Sequence, residues 1–232
     1  MKKLKFAYIP LLCLACSEVK SSAVNTNGMY ANFNLNVNDS VVEASASFRV
    51  GNAFSNTYVE LDQEDTVEVS NSSESLTLTH SSLFNAHVYN GNFTETAPDT
   101  EYTFSLNRPA ETSAPNSTVT LPQDIILTAP MASNNYSLSS GSAIEVKWEN
   151  RSDDMVNVSI TGDCIDSFSS GDIADSAAFT IVGSDITPEE PVGDCDATIE
   201  VTRFRTGTVD GAYSGGSIKA NQTATVQLQI DP

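Results

Sequence analysis

The sequence predicts an all-β protein in which two antiparallel β-sandwich domains stand in tandem, at residues 29–127 and 128–232. Three observations predict this fold class. Apolar and polar residues alternate over short stretches along most of the chain, which is the period of a half-buried strand. Ser, Thr, Val and Asn are abundant, and turn-forming residues separate these stretches at short intervals. No apolar period of 3.6 residues, which would indicate a helix, persists beyond the N-terminal segment.

The first domain is predicted to open with a β-hairpin. In its first strand Phe33, Leu35 and Val37 share one face, and asparagines occupy the other. A turn at residues 38–40 leads into a second alternating strand at residues 42–50. Further strands are predicted at residues 57–61, 66–69, 75–79, 86–89 and 101–108, with closing strands at 118–121 and 125–127. Because two prolines interrupt the pattern at residues 109–117, we expect an exposed break there.

The second domain is predicted from the same alternation. Ile144, Val146 and Trp148 lie on one face of a strand, so we expect Trp148 in the core rather than on a sugar-binding surface. The other predicted strands are residues 156–160, 178–182, 197–204, 217–220 and 224–230. The stretch from Pro130 through the turn at residues 139–142 into Trp148 resembles the opening of immunoglobulin-like and fibronectin-type-III-like modules. That resemblance covers residues 128–232 and implies a β-sandwich.

The N-terminus has the composition of an export signal. Three lysines lie within the first five residues, and residues 6–14 are an apolar stretch too short to span a bilayer as a helix. The stretch ends on Ala15, which is followed by Cys16. The segment therefore predicts an extracytoplasmic protein.

This arrangement resembles a bacterial lipoprotein signal with its lipobox, although Cys13 stands where the family usually has Leu. The resemblance implies that residues 1–15 are removed and that Cys16 is acylated on its sulfur and its new amine. Residues 16–28, polar and small, would then be a flexible lipidated tether. Ser17, where Asp favours retention in the inner membrane, implies the bacterial outer membrane, with the facing side undetermined.

The mature chain contains one further pair of cysteines, Cys164 and Cys195. An isolated pair in an exported protein predicts a disulfide. The alternation of residues 156–160 continues to Cys164, and Cys195 shares the parity of Ala197 and Ile199, so both sulfurs are expected to point inward. Two thiols are too few for a zinc site and lack the spacing of a redox motif.

The net charge limits the partners. The chain carries a formal charge of −19, and removal of residues 1–15 takes three of the 11 basic and none of the 30 acidic residues, which leaves −22. So acidic a surface repels nucleic acid. The predicted partners are a lipid bilayer, through acylated Cys16, and an unidentified protein or glycan.

No catalytic motif or cofactor motif is found. His80 and His87 are expected on the surface, since no Cys, Asp or Glu stands at ligand spacing around them in the sequence. A hydrolase would require one of them beside a serine and a carboxylate in a pocket. Many carboxylates lie in the second domain, among them Asp153, Asp154, Asp163, Asp166, Asp172, Asp175, Glu189, Glu190, Asp194 and Asp196.

The predicted function is therefore that of a membrane-anchored extracytoplasmic lipoprotein with a non-enzymatic binding or structural role, without cofactor or metal. A Ca²⁺-dependent adhesion or carbohydrate-binding module is the alternative, and it would require the carboxylates of residues 153–196 to converge at one end of the second domain. A hydrolase is a further, weaker alternative.

Overall fold

A computed structural model describes residues 17–38, 40–62, 64–83, 86–132, 135–137, 142–149, 151–189 and 194–231. The signal peptide predicted at residues 1–15 and the lipidation site Cys16 lie outside these residues. Within them the chain forms strands and three short 3-10 helices, and none of its helices has the length and apolar character needed to cross a membrane. The predicted all-β class is confirmed.

The strands of the first half are β1 Ser17–Lys20, β2 Met29–Asn38, β3 Val41–Val50, β4 Thr57–Glu60, β5 Thr66–Ser70, β6 Ser75–Thr77, β7 Thr79–Leu83, β8 Ala86–Phe93, β9 Glu101–Asn107 and β10 Ala114–Thr120. Those of the second half are β11 Leu127–Ala129, β12 Asn135–Ser137, β13 Ala143–Trp148, β14 Met155–Gly162, β15 Ile165–Ser169, β16 Ile173–Ala174, β17 Ala178–Val182, β18 Cys195–Thr206 and β19 Gly215–Asp231. The 3-10 helices are Ser21–Ala23, Thr26–Gly28 and Gly183–Asp185.

The opening hairpin follows the prediction. β2 and β3 pair antiparallel, with Phe33 opposite Ala46 and Leu35 opposite Ala44. These residues are buried, and the asparagines between them face outward. The period of two in the sequence therefore sets which face of this sheet enters the core.

One large sheet extends through both halves, with the central strand order β1-β4-β3-β2-β19-β18-β14-β15. A four-stranded sheet, β10-β9-β5-β6, packs against its first part, and the Phe33 and Phe104 rings meet across that interface at 4.7 Å between centroids. A three-stranded sheet, β11-β13-β17, packs against the other part, where Val146 joins Ile160 and Ile199. We call these the first and second sandwich.

Strand β19 belongs to both sandwiches. Its first part pairs in parallel with β2, and from Lys219 onward it also pairs antiparallel with β18. Ile218 and Ala220 lie in the first core, whereas Leu228 and Ile230 lie in the second. The two strands predicted at 217–220 and 224–230 are thus one, and the chain does not divide at residue 127 into two contiguous units.

The expected flexible tether is wrong for residues 17–28. β1 pairs in parallel with β4, and the two following 3-10 helices bury Ser21 and Thr26. The buried guanidinium of Arg108 donates hydrogen bonds to the Ser21 carbonyl at 2.7 Å and to the Thr26 hydroxyl at 2.9 Å. A buried arginine requires acceptors, and this small polar segment supplies them, so the segment is part of the first sandwich.

The expected break at residues 109–117 is shorter than predicted. β10 begins at Ala114 and includes Pro115, which is tolerated because β10 is an edge strand and needs no hydrogen bond from that nitrogen. The sequence also failed to indicate β15 and β16, which are short and carry exposed residues without clear alternation.

Two arginines of β18 hold the segment that joins the sandwiches. Arg203 donates to the carbonyls of Gln123 and Asp124, at 2.8 and 2.7 Å. Arg205 bonds both carboxylate oxygens of Asp154, at 2.7 and 2.9 Å, and also reaches Asp99 at 2.7 Å. The two sandwiches are therefore joined by side chains as well as by β19.

Candidate functional site

The two histidines meet on the β7–β8 hairpin. In its antiparallel register His80 lies opposite Tyr89, and Ser82 lies opposite His87. Residues two apart on a strand share a face, so His80, His87 and Tyr89 point to the same side. His80 Nε2 is 2.9 Å from His87 Nδ1, and the two rings stack with centroids 5.1 Å apart.

His87 is held in a defined orientation. Its side chain is 4% exposed, and its Nε2 is 3.1 Å from Glu18 Oε2 on the edge strand β1. An ionised carboxylate only accepts hydrogen bonds, so Nε2 of His87 carries the proton. In the neutral ring Nδ1 then presents its lone pair to His80. The expectation that His87 is a surface residue is wrong.

Glu60, on β4, brings a carboxylate to the same place. Ligand atoms of Glu60, His80 and His87 all lie within 4.8 Å of one another. Lys20 bonds Glu60 at 2.5 Å, and this hydrogen bond is the main reason that the pKa of Glu60 lies below its ordinary value. The spacing of residues in the sequence gave no carboxylate near the histidines. Glu60 reaches them because β4 and β8 both pair with β3 in the sheet.

Tyr89 closes one side of this cluster. Its ring lies 5.1 Å from that of His80, and its hydroxyl oxygen accepts a hydrogen bond from the Leu61 N–H at 2.7 Å. Burial raises the pKa of Tyr89 to about 12, so the phenol is neutral at physiological pH. His80 remains exposed, which leaves the cluster open to solvent on its outer side.

The predicted disulfide is present. Cys164 and Cys195 are bonded, with their Cα atoms 5.8 Å apart. Cys164 is buried, but it lies in the turn between β14 and β15 rather than on a strand, and Cys195 is the first residue of β18 and half-buried. The predicted position on a strand is therefore confirmed for Cys195. Cys164 is buried as expected, but it lies in the turn that follows β14 and not on the strand.

Two carboxylates of the second half, Asp154 and Asp175, bond to arginines of β18. Asp175 is buried and accepts hydrogen bonds from Arg203 and from the indole N–H of Trp148, at 2.6 and 2.9 Å. Asp154 is paired with Arg205. Trp148 is 3% exposed, so its predicted place in the core is confirmed. Among the described residues of 153–196, carboxylates do not gather into a group of three at metal-ligand distance.

The hydrolase alternative gains no geometric support. The hydrogen bonds of the two imidazoles run to each other and to Glu18. Within the described part of the chain no serine hydrogen-bonds to either ring, so the serine, histidine and carboxylate arrangement of such enzymes is not formed there.

No family model matches the chain, and no curated protein matches it. Solved structures with some likeness include a chimeric titin Z1Z2–Z1Z2 tandem, at 15% identity and TM-score 0.24, covering 86% of this chain and 97% of that one. Dpr11 IG1 bound to DIP-gamma has 6% identity and TM-score 0.23, covering 87% and 95%. SGBP-B of Bacteroides ovatus, in complex with a mixed-linkage heptasaccharide, has 10% identity and TM-score 0.23, covering 82% and 52%.

Proposed function

We propose that this chain is an extracytoplasmic lipoprotein, anchored to a bacterial outer membrane through acylated Cys16, with a non-enzymatic binding or structural role. The observation that carries the proposal is the N-terminal series of lysines, a short apolar stretch and Ala15-Cys16. A single acyl chain binds a membrane only marginally, whereas the three implied here give a stable anchor.

The position of β1 bears on how far the folded protein would stand from the membrane. Ser17 already pairs with Thr57 of β4, so the folded sandwich begins directly after the acylated residue. The first sandwich would therefore lie against the bilayer surface rather than at the end of a flexible stalk.

The surface of the large sheet supports a binding or structural role. The outward face of β2 carries Asn32, Asn34 and Asn36, which hydrogen-bond to Ser217 and Asn221 of β19. This face presents amides and hydroxyls held in place by the strand backbones. Such groups suit recognition of a glycan or of another polar protein surface.

Metabolic labelling with an acyl probe tests the anchor. The natural chain should incorporate the label and sediment with membranes, and Cys16→Ser should lose both properties. Cys13→Leu, which places the family's usual residue at that position, is the matched control and should keep them. Label retained by Cys16→Ser, or lost from Cys13→Leu, would refute the anchor.

A photo-crosslinking residue placed at Asn32 tests the binding face in intact cells. The expected result is a discrete adduct that is absent when the same residue replaces Glu145, which is exposed on the three-stranded sheet of the second sandwich. Equal adducts from both positions, or none from Asn32, would contradict recognition through this face.

A further inference from the structure

The geometry points to a divalent transition-metal site formed by Glu60, His80 and His87, for Zn²⁺ or Cu²⁺. Two imidazoles and one carboxylate come from three strands of one sheet, and their ligand atoms lie within 4.8 Å of one another. Among the described residues, these three form the group of His, Cys, Asp or Glu side chains that lie close enough together to share a metal ion. The site is independent of the lipid anchor proposed above.

The donor types select the ion. Imidazole nitrogens favour Zn²⁺, Cu²⁺ and their neighbours, while Ca²⁺ and Mg²⁺ prefer sites built wholly from oxygen. Two histidines and one carboxylate form a three-ligand set that also occurs in zinc proteins, with a water in the fourth position. The exposure of His80 gives such a water access from solvent.

The distance between the two imidazoles fits the same conclusion. In a tetrahedral site with metal–nitrogen bonds of about 2.0–2.1 Å, neighbouring donor nitrogens are about 3.3 Å apart. His80 Nε2 and His87 Nδ1 are 2.9 Å apart, so a shift of a few tenths of an ångström admits an ion. To bind the ion through Nε2, His80 must carry its proton on Nδ1 instead. A neutral imidazole can do so by changing tautomer.

Glu18 binds the ring nitrogen of His87 that is not used as the metal ligand. Its carboxylate accepts the Nε2–H of His87 at 3.1 Å, which fixes the ring and leaves Nδ1 as the ligand atom. A carboxylate on the far nitrogen of a metal-binding histidine orients the ring and raises its basicity. The acidic groups of Glu18 and Glu60 also favour a cation over an anion.

Lys20 competes with the ion for Glu60. Its ammonium group is 2.5 Å from Glu60 Oε2, and its side chain is half exposed and free to turn into solvent. Metal binding therefore replaces this ion pair. It follows that Lys20→Gln should bind the metal more tightly than the natural chain does.

Titration of the purified full chain tests the site, after its metals have been removed and without a polyhistidine tag. Calorimetry with Zn²⁺ and Cu²⁺ should give one ion per chain. Loss of an outer-shell partner typically costs about 10- to 100-fold in affinity, and we expect that range for Glu18→Gln. His80→Ala and Glu60→Gln remove direct ligands and should weaken binding by more. Glu43→Gln, an exposed carboxylate elsewhere on the same sheet, is the matched control and should change nothing.

Nitrogen-detected NMR of the two imidazoles provides a second readout. Zn²⁺ should shift the His87 Nδ1 resonance while Nε2 stays protonated. Because His80 is exposed, His80→Ala is expected to fold, and its unfolding midpoint without metal should match that of the natural chain. Absence of one-to-one binding in the natural chain, or equal affinity in His80→Ala, would overturn the proposal.

Discussion

Asp175 forms a buried ion pair with Arg203 in the second sandwich. Its carboxylate and the Arg203 guanidinium are both fully buried, and each would be a costly unpaired charge without the other. The Trp148 indole and the Ala177 N–H supply further hydrogen bonds, at 2.9 Å each. An intact buried ion pair of this kind changes the free energy of unfolding little. Removal of one partner lowers it strongly, because the other charge stays buried and unpaired.

We therefore expect Asp175→Ala to destabilise the protein by about 3–5 kcal/mol, since Arg203 remains buried without a counter-charge. Asp153→Ala, an exposed carboxylate two residues before the strand β14, should change the free energy of unfolding by less than about 0.5 kcal/mol. Urea unfolding followed by Trp148 fluorescence measures both. Equal effects of the two substitutions would contradict the assigned role.

Acid should remove the contribution of Asp175. Burial by itself would raise the pKa of Asp175, but hydrogen bonds from Ala177 and Trp148, together with the charge of Arg203, hold it below its ordinary value. A lowered folded-state pKa means that the stabilisation is present above the unfolded value of about 4 and is lost as the pH falls through the folded value. The stability difference between the natural chain and Asp175→Asn should therefore be constant near neutral pH and shrink below about pH 4. A difference that stays constant down to about pH 2 would contradict this linkage.

At the scale of single elements, the disulfide closes the segment from Cys164 to Cys195, 31 residues apart. This segment contains β15, β16 and β17, which are short, so they depend on that closure more than the long strands do. In the chain-entropy model a loop of this length contributes roughly 3.5 kcal/mol.

Reduction should accordingly lower the free energy of unfolding by about 2–5 kcal/mol. Calorimetry of the chain with and without reductant measures the change, and the Cys164→Ala, Cys195→Ala double variant should show the same loss without responding to reductant. Non-reducing mass spectrometry tests the bond itself, and two free thiols in the natural chain purified without reductant would refute it.

Gly207 marks another element-level constraint, where β18 leaves the sheet beside β10. Thr118 and Thr208 exchange backbone hydrogen bonds of 2.8 Å there, and a β-carbon on Gly207 would overlap the Thr118 carbonyl oxygen. Gly207→Ala should therefore destabilise by about 1–3 kcal/mol, as overpacking does. Gly211→Ala, where the added carbon meets no atom within 4 Å, should be close to neutral in the same urea titration. A neutral Gly207→Ala would show that the two strands separate easily at this point.

At the scale of the whole molecule, β19 and the arginines of β18 make the two cores interdependent. β19 contributes Ile218 to the first core and Leu228 to the second, on one continuous strand. Arg205 links Asp99 of the first sandwich to Asp154 of the second. Unfolding of either sandwich would therefore remove the core contacts of one part of β19.

We expect one cooperative unfolding transition. Leu106→Ala removes a fully buried side chain of the first core, at a cost of about 2–5 kcal/mol. The unfolding midpoint reported by the fluorescence of Trp148, the single tryptophan, should fall even though Trp148 lies in the second core. Leu228→Ala should in turn lower the midpoint reported by first-sandwich tyrosines in near-ultraviolet circular dichroism. Independent sandwiches would leave the distant signal unchanged.

Features that depend on local pattern were predictable from the order of the residues alone. The period of two placed Phe33, Leu35 and Val37 of β2 on the buried face, and Trp148 of β13 in the core. The count of cysteines, in a chain whose N-terminus predicts export, was enough to indicate the Cys164–Cys195 bond. These outcomes follow because burial on one face of a strand requires only the residues of that strand.

Which distant strands became neighbours depends on how the sheets assemble in three dimensions. The pairing that brings His80 and His87 together is local, because β7 and β8 are consecutive strands of one hairpin. The arrival of Glu18 and Glu60 was not readable, because β1 and β4 reach the hairpin through non-local sheet pairing. The same applies to β19. The alternation predicted two strands there, at 217–220 and 224–230, and neither of the partners β18 and β2, since pairing between distant segments leaves no signal in the spacing of residues.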